Sequence, residues 1–426
     1  MNKIKVLQIL LGLFIAFIFG YYFGVNKVNV DWKAYKPNIS IVSKEPPSGI
    51  ANVNFTPFWA VWEKLLAGYY DKSKLDQQKM LNGAISGMVS SLGDPFTVYL
   101  PPVQNNDFKE GLAGQFSGIG AELGTKDASI IVISPLDGSP AERAGIRAGD
   151  TIVSVDAKST SGWNVSQAVE KIRGPKGTLV TLGIFRKGNE KQIDLKITRD
   201  VINVKSVVME IRSANCTSES CKIVAKTDTC KGNCTKFLYI RLSQFGDNTN
   251  QEWMNLVGDI ATKAKADSGV KGIVFDLRNN PGGYLSDAAF ISSEFLEKGQ
   301  VVVSQDNGVT DKNIMYATRK GLFTEEKVVV LINKGSASAA EIVSGALRDN
   351  KRAKLIGETS FGKGTIQTAE DLGDGAGLHV TIAKWLTPNG TWVHEKGLTP
   401  DVAVSLDAKD PSRDTQLEKG VSELLK

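Results

Sequence analysis

Apolar residues recur along this chain with different periods, and the changes of period divide it. Residues 6–25 form an almost unbroken apolar run with Gln8 as its one strongly polar member, long enough to cross a bilayer. Over residues 56–92 the apolar positions step by three and four (Phe58, Trp59, Trp62, Leu65, Leu66, then Leu81, Ile85, Met88, Val89), which predicts helices. The aromatic stripe on them reads as packing. The following DPFTVYLPP, residues 94–102, closes that module with turn chemistry. Between about 115 and 199 the texture is short β runs (130–133, 151–155, 180–185, 192–197), glycine-rich turns and one helical stretch, 165–172. Strands and helices then alternate: strands at 237–242, 272–277, 301–303 and 328–332, helices at 253–264, 286–295 and after Ser338. That alternation predicts an α/β core with helices packed on a sheet. Residues 377–385 and 392–393 read as β again, and the polar tail from Asp407 reads as peripheral.

Composition changes this picture little. A chain of 426 residues suggests two or three domains, and 42% apolar with 23% charged residues is ordinary for globular protein. The net charge of +5 is spread without a basic tract, which gives no sign of a nucleic-acid partner. The charges that matter are Lys3 and Lys5, because they precede the apolar run. With Tyr21-Tyr22-Phe23 at its far end, the run is expected to be an uncleaved anchor, its N-terminus in the cytoplasm and the bulk of the chain outside. A cleaved signal peptide is the rival, but no small-x-small site follows closely. Pro37, Pro46 and Pro47 mark the next stretch as an extended tether.

The cysteines agree with export. Cys216, Cys221, Cys230 and Cys234 fall within 19 positions, and outside the cytoplasm such a cluster reads as two disulfides stapling an insertion. Three pairings are open; a nested one, Cys216 with Cys234 and Cys221 with Cys230, fits a strand-like 222–225. A four-cysteine zinc site is the alternative, but the spacings are not those of paired CxxC knuckles.

The candidate chemistry centres on VVVLINKGSASAAE, residues 328–341: a buried strand, a break, then small residues entering a helix. Ser338 falls near the helix start, where unpaired N–H groups and the positive dipole end favour developing negative charge. A Ser-rich cap before an Ala-rich core helix explains the same residues. A serine nucleophile needs a base, and the two histidines, His379 and His394, sit in no triad-like context; His394 precedes a turn and reads as surface. Lys363, between glycines in ETSFGKGTIQ, is the better candidate. A desolvated lysine has a lowered pKa, and its neutral amine can take a proton from a serine hydroxyl. The alternative is a solvated loop lysine. Two glycines in Ser117-Gly118-Ile119-Gly120 could turn backbone N–H groups into one concavity suited to a C-terminal carboxylate, beside a sheet edge that accepts an added strand.

These blocks resemble a known family. SGIGAEL and SPLDGSPAERAGIRAGDTIVSVD look like a PDZ domain of bacterial and chloroplast processing proteases. DLRNNPGGYL, GSASAAEIV, RDN and GETSFGKGTIQ are similar to the signature blocks of the C-terminal processing peptidases, a serine–lysine protease family (S41). The resemblance implies Ser338 as nucleophile, Lys363, 25 positions on, as general base, and Gln367 as the residue that orients it. It implies an oxyanion hole from the N–H of Ala339 and that of Gly282 or Gly283, and it matches Asp349 to a supporting acidic position. No cofactor and no metal are implied. The cysteine insertion is a departure from the family pattern.

The expected whole is an α+β multidomain chain: 1–26 membrane anchor or signal, 27–55 linker, 56–105 helical module, 115–200 PDZ β-sandwich or barrel-like domain. A protease core of α/β crotonase/ClpP-like type follows at 201–406, with the cysteine insertion at 212–236, then a tail at 407–426. The expected partners are protein substrates with unstructured C-termini and the membrane. The helical module leaves room for a homodimer, and an activating or adaptor protein stays open. The expected place is the bacterial cell envelope, with the catalytic part extracytoplasmic. The alternative function is a membrane-tethered PDZ scaffold with an inactive protease core.

Overall fold

The computed structural model describes residues 5, 11–18, 21, 28–33, 36–41, 53–126, 129–136, 138–186, 188–189, 191–217, 220–224, 234–309, 312–407, 410 and 413–426. They fall into two compact units, residues 1–81 and 82–426. In the first, the expected tether contains a β-hairpin, Val28–Lys33 antiparallel to Lys36–Ile41. The helix Thr56–Gly68 follows, and the expected stripe sits on it with Phe58, Trp59 and Trp62 in ring contact with one another, but none of its residues is fully buried. A short 3-10 turn, Lys72–Lys74, separates it from the helix Gln77–Ser90. Among the described residues no helix is long and apolar enough to cross a membrane; much of the expected span 6–25 lies outside them.

The β-rich segment forms its own small core. An antiparallel sheet runs in the order Ile193–Thr198, Leu179–Phe185, Thr151–Val155, Ser129–Pro135, Ala121–Lys126, so Ala121–Lys126 is an open edge. Helix Val165–Ile172, fixed at its start by a capping box between Asn164 and Gln167, packs Ala168 and Ile172 against Ile130, Ile152 and Leu182. The short β runs expected at 130–133, 151–155 and 180–185 fall within these elements, and the one at 192–197 begins one residue late, at Ile193.

The second layer is a seven-stranded sheet whose middle strands run parallel: Cys234–Leu242, Val270–Asp276, Val328–Ile332 and Ala353–Gly357. Successive residues of a strand point to opposite faces. Phe275 and Val330 therefore meet helices Thr249–Ala266, Leu285–Ser292 and Ala339–Asp349, while Val274, Val329 and Leu331 face the other way. A sheet buried on both faces needs apolar residues at every position, which is why 328–332 reads VVVLI. The cover on the second face corrects an expectation: the tail is not peripheral. Its helix Thr415–Leu424 buries Leu417, Val421 and Leu424 at helical spacing against Val274, Val329 and Leu331.

A smaller antiparallel sheet pairs Thr365–Gly373 with Ala376–Leu386 and, through it, Val301–Asp306 and Asn313–Tyr316. Two further expectations change here. Residues 98–100 are not only turn: Val98–Leu100 adds to this sheet beside Gly377–His379. Residues 392–393 form no strand, because the chain turns there, with Lys396 N–H bonded back to Val393 C=O.

The nested disulfide pairing is also overturned. Strand Val207–Cys216 pairs antiparallel with Cys221–Ile223, which sets Cys216 opposite Cys221, and these two are bonded. A pair that close in register leaves no room for the longer-range links. Cys234 is disulfide-bonded as well, and Cys230 lies outside the described residues.

Candidate active site

Two adjacent parallel strands deliver the two turns of the site. Val270–Asp276 and Val328–Ile332 pair with Asp276 opposite Leu331, so both chains leave the sheet at the same carboxyl edge, where α/β proteins place their ligands. The first turn carries Asn280-Pro281-Gly282-Gly283, the second Gly335–Ser338. They are sewn together: Ala337 N–H donates to Asn280 C=O (2.9 Å), Ser336 Oγ donates to Leu277 C=O (2.9 Å), and Asn279 and Asn333 exchange two bonds of 2.8 Å. Behind the first turn, Arg278 forks onto Asp276 (2.6 Å) and Asp414 (2.7 Å) of the tail, and Tyr239 donates to Asp276 (2.8 Å).

Ser338 ends the second turn with φ 53°, a left-handed conformation that costs a β-carbon residue energy and is kept only where the surroundings impose it. The neighbouring turn imposes it. A β-carbon at Gly282 would lie 2.8 Å from Ser338 Cβ and 3.0 Å from Ala339 N, so only glycine lets that turn sit against the serine. Phe245 brackets the turn from behind, donating to Gly282 C=O and accepting from Tyr284 N–H (both 2.9 Å). That ladder points the Gly283 N–H away from Phe245. Gly282 N–H is spent on Asn280 Oδ1 (2.9 Å), whereas among the described residues the N–H groups of Gly283 and Ala339 find no acceptor. Of the two glycines expected as donors, Gly283 is the one left with a donor to offer.

Lys363 is brought to the same place by one carboxylate. Glu341, fully buried in the first turn of helix Ala339–Asp349, accepts from Ser338 N–H (2.9 Å), Lys363 N–H (2.9 Å), Gly362 N–H (2.7 Å) and Ser360 Oγ (2.6 Å). Burial pushes its carboxyl above the usual range, and these four donors pull the other way. Trp385 Nε1 adds a bond to Lys363 C=O (2.8 Å). Burial holds the Lys363 amine below the ordinary lysine value, opposed by the charges of Asp94 and Glu341. Its Nζ lies 5.1 Å from the centre of the Phe96 ring.

Ser338, Ala339, Gly282, Gly283, Lys363 and Gln367 line one cavity of about 470 Å³, with Leu285, Ile342, Ile366 and Trp385 as apolar wall. The Gln367 amide nitrogen donates to Thr365 and Thr381 hydroxyls (2.9 and 3.0 Å), and no hydrogen bond joins it to Lys363 among the described residues. His379 lines the cavity too, its pKa lowered by burial and by Lys363. His394 is not a surface residue: it is half-buried, stacked on Trp392 at 5.0 Å. Asp349 lies outside the cavity, where it binds Arg348 and accepts from Asn389 N–H (3.1 Å).

A second cavity, about 230 Å³, is lined by Ser117, Gly118, Ile119 and Gly120 with Leu123 of the open edge strand and Val169, Ile172 and Arg173. Phe116 belongs to both cavities, and the Arg173 guanidinium covers its ring at 4.7 Å. Sequence reasoning missed Glu341 and Phe96. A capping-box spacing, Ser338-x-x-Glu341, was the available signal for the first. For Phe96 there was none, since its partner is far away in the chain.

A cavity beside an open sheet edge, sharing Phe116 with a cavity that holds a serine on a strand–turn–helix, has the architecture expected of a peptidase. Comparison with known proteins narrows the class. Residues 236–404 match the model of peptidase family S41, residues 108–185 that of the PDZ domain, and residues 20–102 that of the activating protease CtpB N-terminal domain. The chain is 38% identical over 369 residues to the carboxy-terminal processing protease CtpA of Bacillus subtilis (strain 168), covering 87% of this chain and 72% of that one. It is 35% identical over 390 residues to CtpB of the same organism, covering 90% and 74%. Among solved structures it resembles a photosystem II D1 C-terminal processing protease, with 29% identity, a TM-score of 0.50 and coverage of 86% and 95%. The chain belongs to the carboxy-terminal processing proteases of family S41: it is a serine protease with a PDZ domain.

Proposed function

We propose that this protease works with a Ser338–Lys363 dyad on polypeptide tails presented by the groove at Ser117–Gly120. The observation that carries the reading is the shared cavity, which holds Ser338, Lys363 and the Gly282–Gly283 turn and shares Phe116 with the groove. The tail's carboxylate meets the backbone of Gly118–Gly120, and its strand adds to the open edge at Ala121–Lys126. Neutral Lys363 takes the Ser338 Oγ proton as Oγ bonds to the scissile carbonyl carbon. The Ala339 and Gly283 N–H groups hold the oxyanion. Collapse breaks the C–N bond, the leaving amine takes the proton from the Lys363 ammonium, and an acyl-ester stays on Ser338. Water then hydrolyses it, with Lys363 as base again. Gln367, fixed by Thr365 and Thr381, is assigned the orienting of the amine across the same cavity.

Ser338→Ala and Lys363→Ala should each lower cleavage of a disordered-tail substrate by about 10⁴-fold or more with the fold intact. Near-normal turnover by Lys363→Ala would sink the dyad. We also read residues 6–25 as a membrane anchor and the catalytic part as lying outside the cytoplasm, in the bacterial envelope. The lysine-led apolar run and the Cys216–Cys221 disulfide support this. Release of the full chain from membranes by alkaline wash would count against an anchor.

A further inference from the structure

The base of the proposed dyad is walled by a segment from the other end of the chain. Asp94, Phe96 and Thr97 precede the strand Val98–Leu100, which pairs with Gly377–His379 of the small sheet. Asp94 accepts from Phe96 N–H (2.9 Å) and Thr97 Oγ1 (2.6 Å). Thr97 Oγ1 accepts from Thr381 N–H (3.1 Å), and the Thr381 hydroxyl accepts from Gln367 (3.0 Å). The turn is thereby bolted to the strand that carries His379 and to Gln367. It lays the half-buried Phe96 ring over Lys363 Nζ and edge-on to His394 at 5.9 Å.

We propose that Phe96 is a positioning residue for the reaction: its ring is the wall against which the Lys363 amine rests, and Asp94 on the same turn supplies the countercharge. The proposal rests on Lys363 being the base. An aromatic face attracts the ammonium and excludes water from it, so the ring holds the protonated form in place and, for the neutral amine, is a packed wall that does not bond the lone pair that must accept the serine proton. The charged or titratable groups facing Lys363 are Asp94 from this turn, Glu341 from the helix Ala339–Asp349 and His379 from the strand Ala376–Leu386, while His394 reaches it through Phe96 and Asp94.

The test is the pH dependence of tail-peptide cleavage by the full chain, since activity rises with pH as Lys363 loses its proton. Phe96→Leu keeps the bulk and removes the quadrupole. The ammonium loses a stabilising contact, so the acid limb of kcat/KM should move down by about half to one pH unit, and kcat should fall about tenfold with KM little changed. Phe96→Ala admits water, which favours the ammonium, so its limb should move to higher pH. Phe96→Tyr, which keeps a ring, should recover turnover relative to Phe96→Leu. Opposite shifts for Leu and Ala cannot come from general loosening. Limbs that stay at the wild-type pH in both variants overturn the proposal while Lys363→Ala remains inactive. An active Lys363→Ala overturns the base assignment itself, and the role of Phe96 with it.

Discussion

The two halves of the proposed dyad site, one holding the proposed nucleophile and the other the proposed base, are built by different means. The nucleophile half is backbone: two parallel strands in register, two turns cross-linked by short main-chain and amide bonds, and a glycine that cannot be replaced without touching the serine. The base half is assembled from side chains drawn from residues 94–97, 360–367, 376–386 and 392–394, brought together only when the small sheet closes. The first is therefore expected to be rigid and intolerant, the second tunable. Glu341 is the joint, with one carboxylate holding the main chain of both.

The sharpest way to break that contrast is Gly282→Ala. An added methyl would meet Ala337 O and Ser338 Cβ at 2.8 Å in a backbone at φ 96°. The Gly283 donor would be displaced, and kcat should fall about 10²–10³-fold, the usual loss for one oxyanion donor. Folding, read by thermal melting, should change far less than turnover. A Gly282→Ala enzyme within threefold of wild type would show that the nucleophile half is not rigid.

Glu341→Gln probes the joint and should act on both halves more weakly. One amide oxygen replaces two carboxylate oxygens that accept four bonds, and the new NH₂ faces donors. A buried network so broken should lose about 2–3 kcal/mol of stability, seen in urea unfolding. Removing the Glu341 charge also removes an interaction that raises the Lys363 pKa, so the acid limb of kcat/KM should shift to lower pH, the direction expected for Phe96→Leu. An upward shift would mean that the joint acts on the base by letting in water.

How far each half could be read from the sequence follows from the same contrast. The strand–turn–helix around Ser338 and the apolar runs of the parallel strands are local patterns, and they stand within a residue or two of where periodicity put them, while the NPGG turn was picked out by the family resemblance. Lys363 was singled out by the family resemblance, since its flanking glycines alone fit a solvated loop lysine equally well; the structure gives one of them a packing reason, as a β-carbon at Gly362 would lie 2.8 Å from Gly397 N. Phe96, the strand Val98–Leu100 and the buried tail helix depend on partners up to some hundreds of residues away, which a local window does not contain. The cysteine pairing is a different case, because the observed partners are close in sequence. Sequence left three pairings open, the nested one fitting a strand-like 222–225, whereas the antiparallel register sets Cys216 directly opposite Cys221.

That hairpin supplies the control with the smallest expected effect. Cys216 and Cys221 sit on the sheet's edge, and neither lines the cavity that holds Ser338 and Lys363. Replacing both with serine should cost about 2 kcal/mol by the loop-closure estimate, because the link spans few residues. It should leave kcat and the pH profile of cleavage where they are, because the strands that carry the two turns, Val270–Asp276 and Val328–Ile332, are separated from this hairpin by Cys234–Leu242. Melting temperature should fall while turnover below it stays constant. If the double variant instead moved the acid limb as Phe96→Leu is expected to, the base half would be responding to stability at the far edge of the sheet. The tunability ascribed to it would then be global loosening, and the distinction between the two halves would fail at its more interesting end.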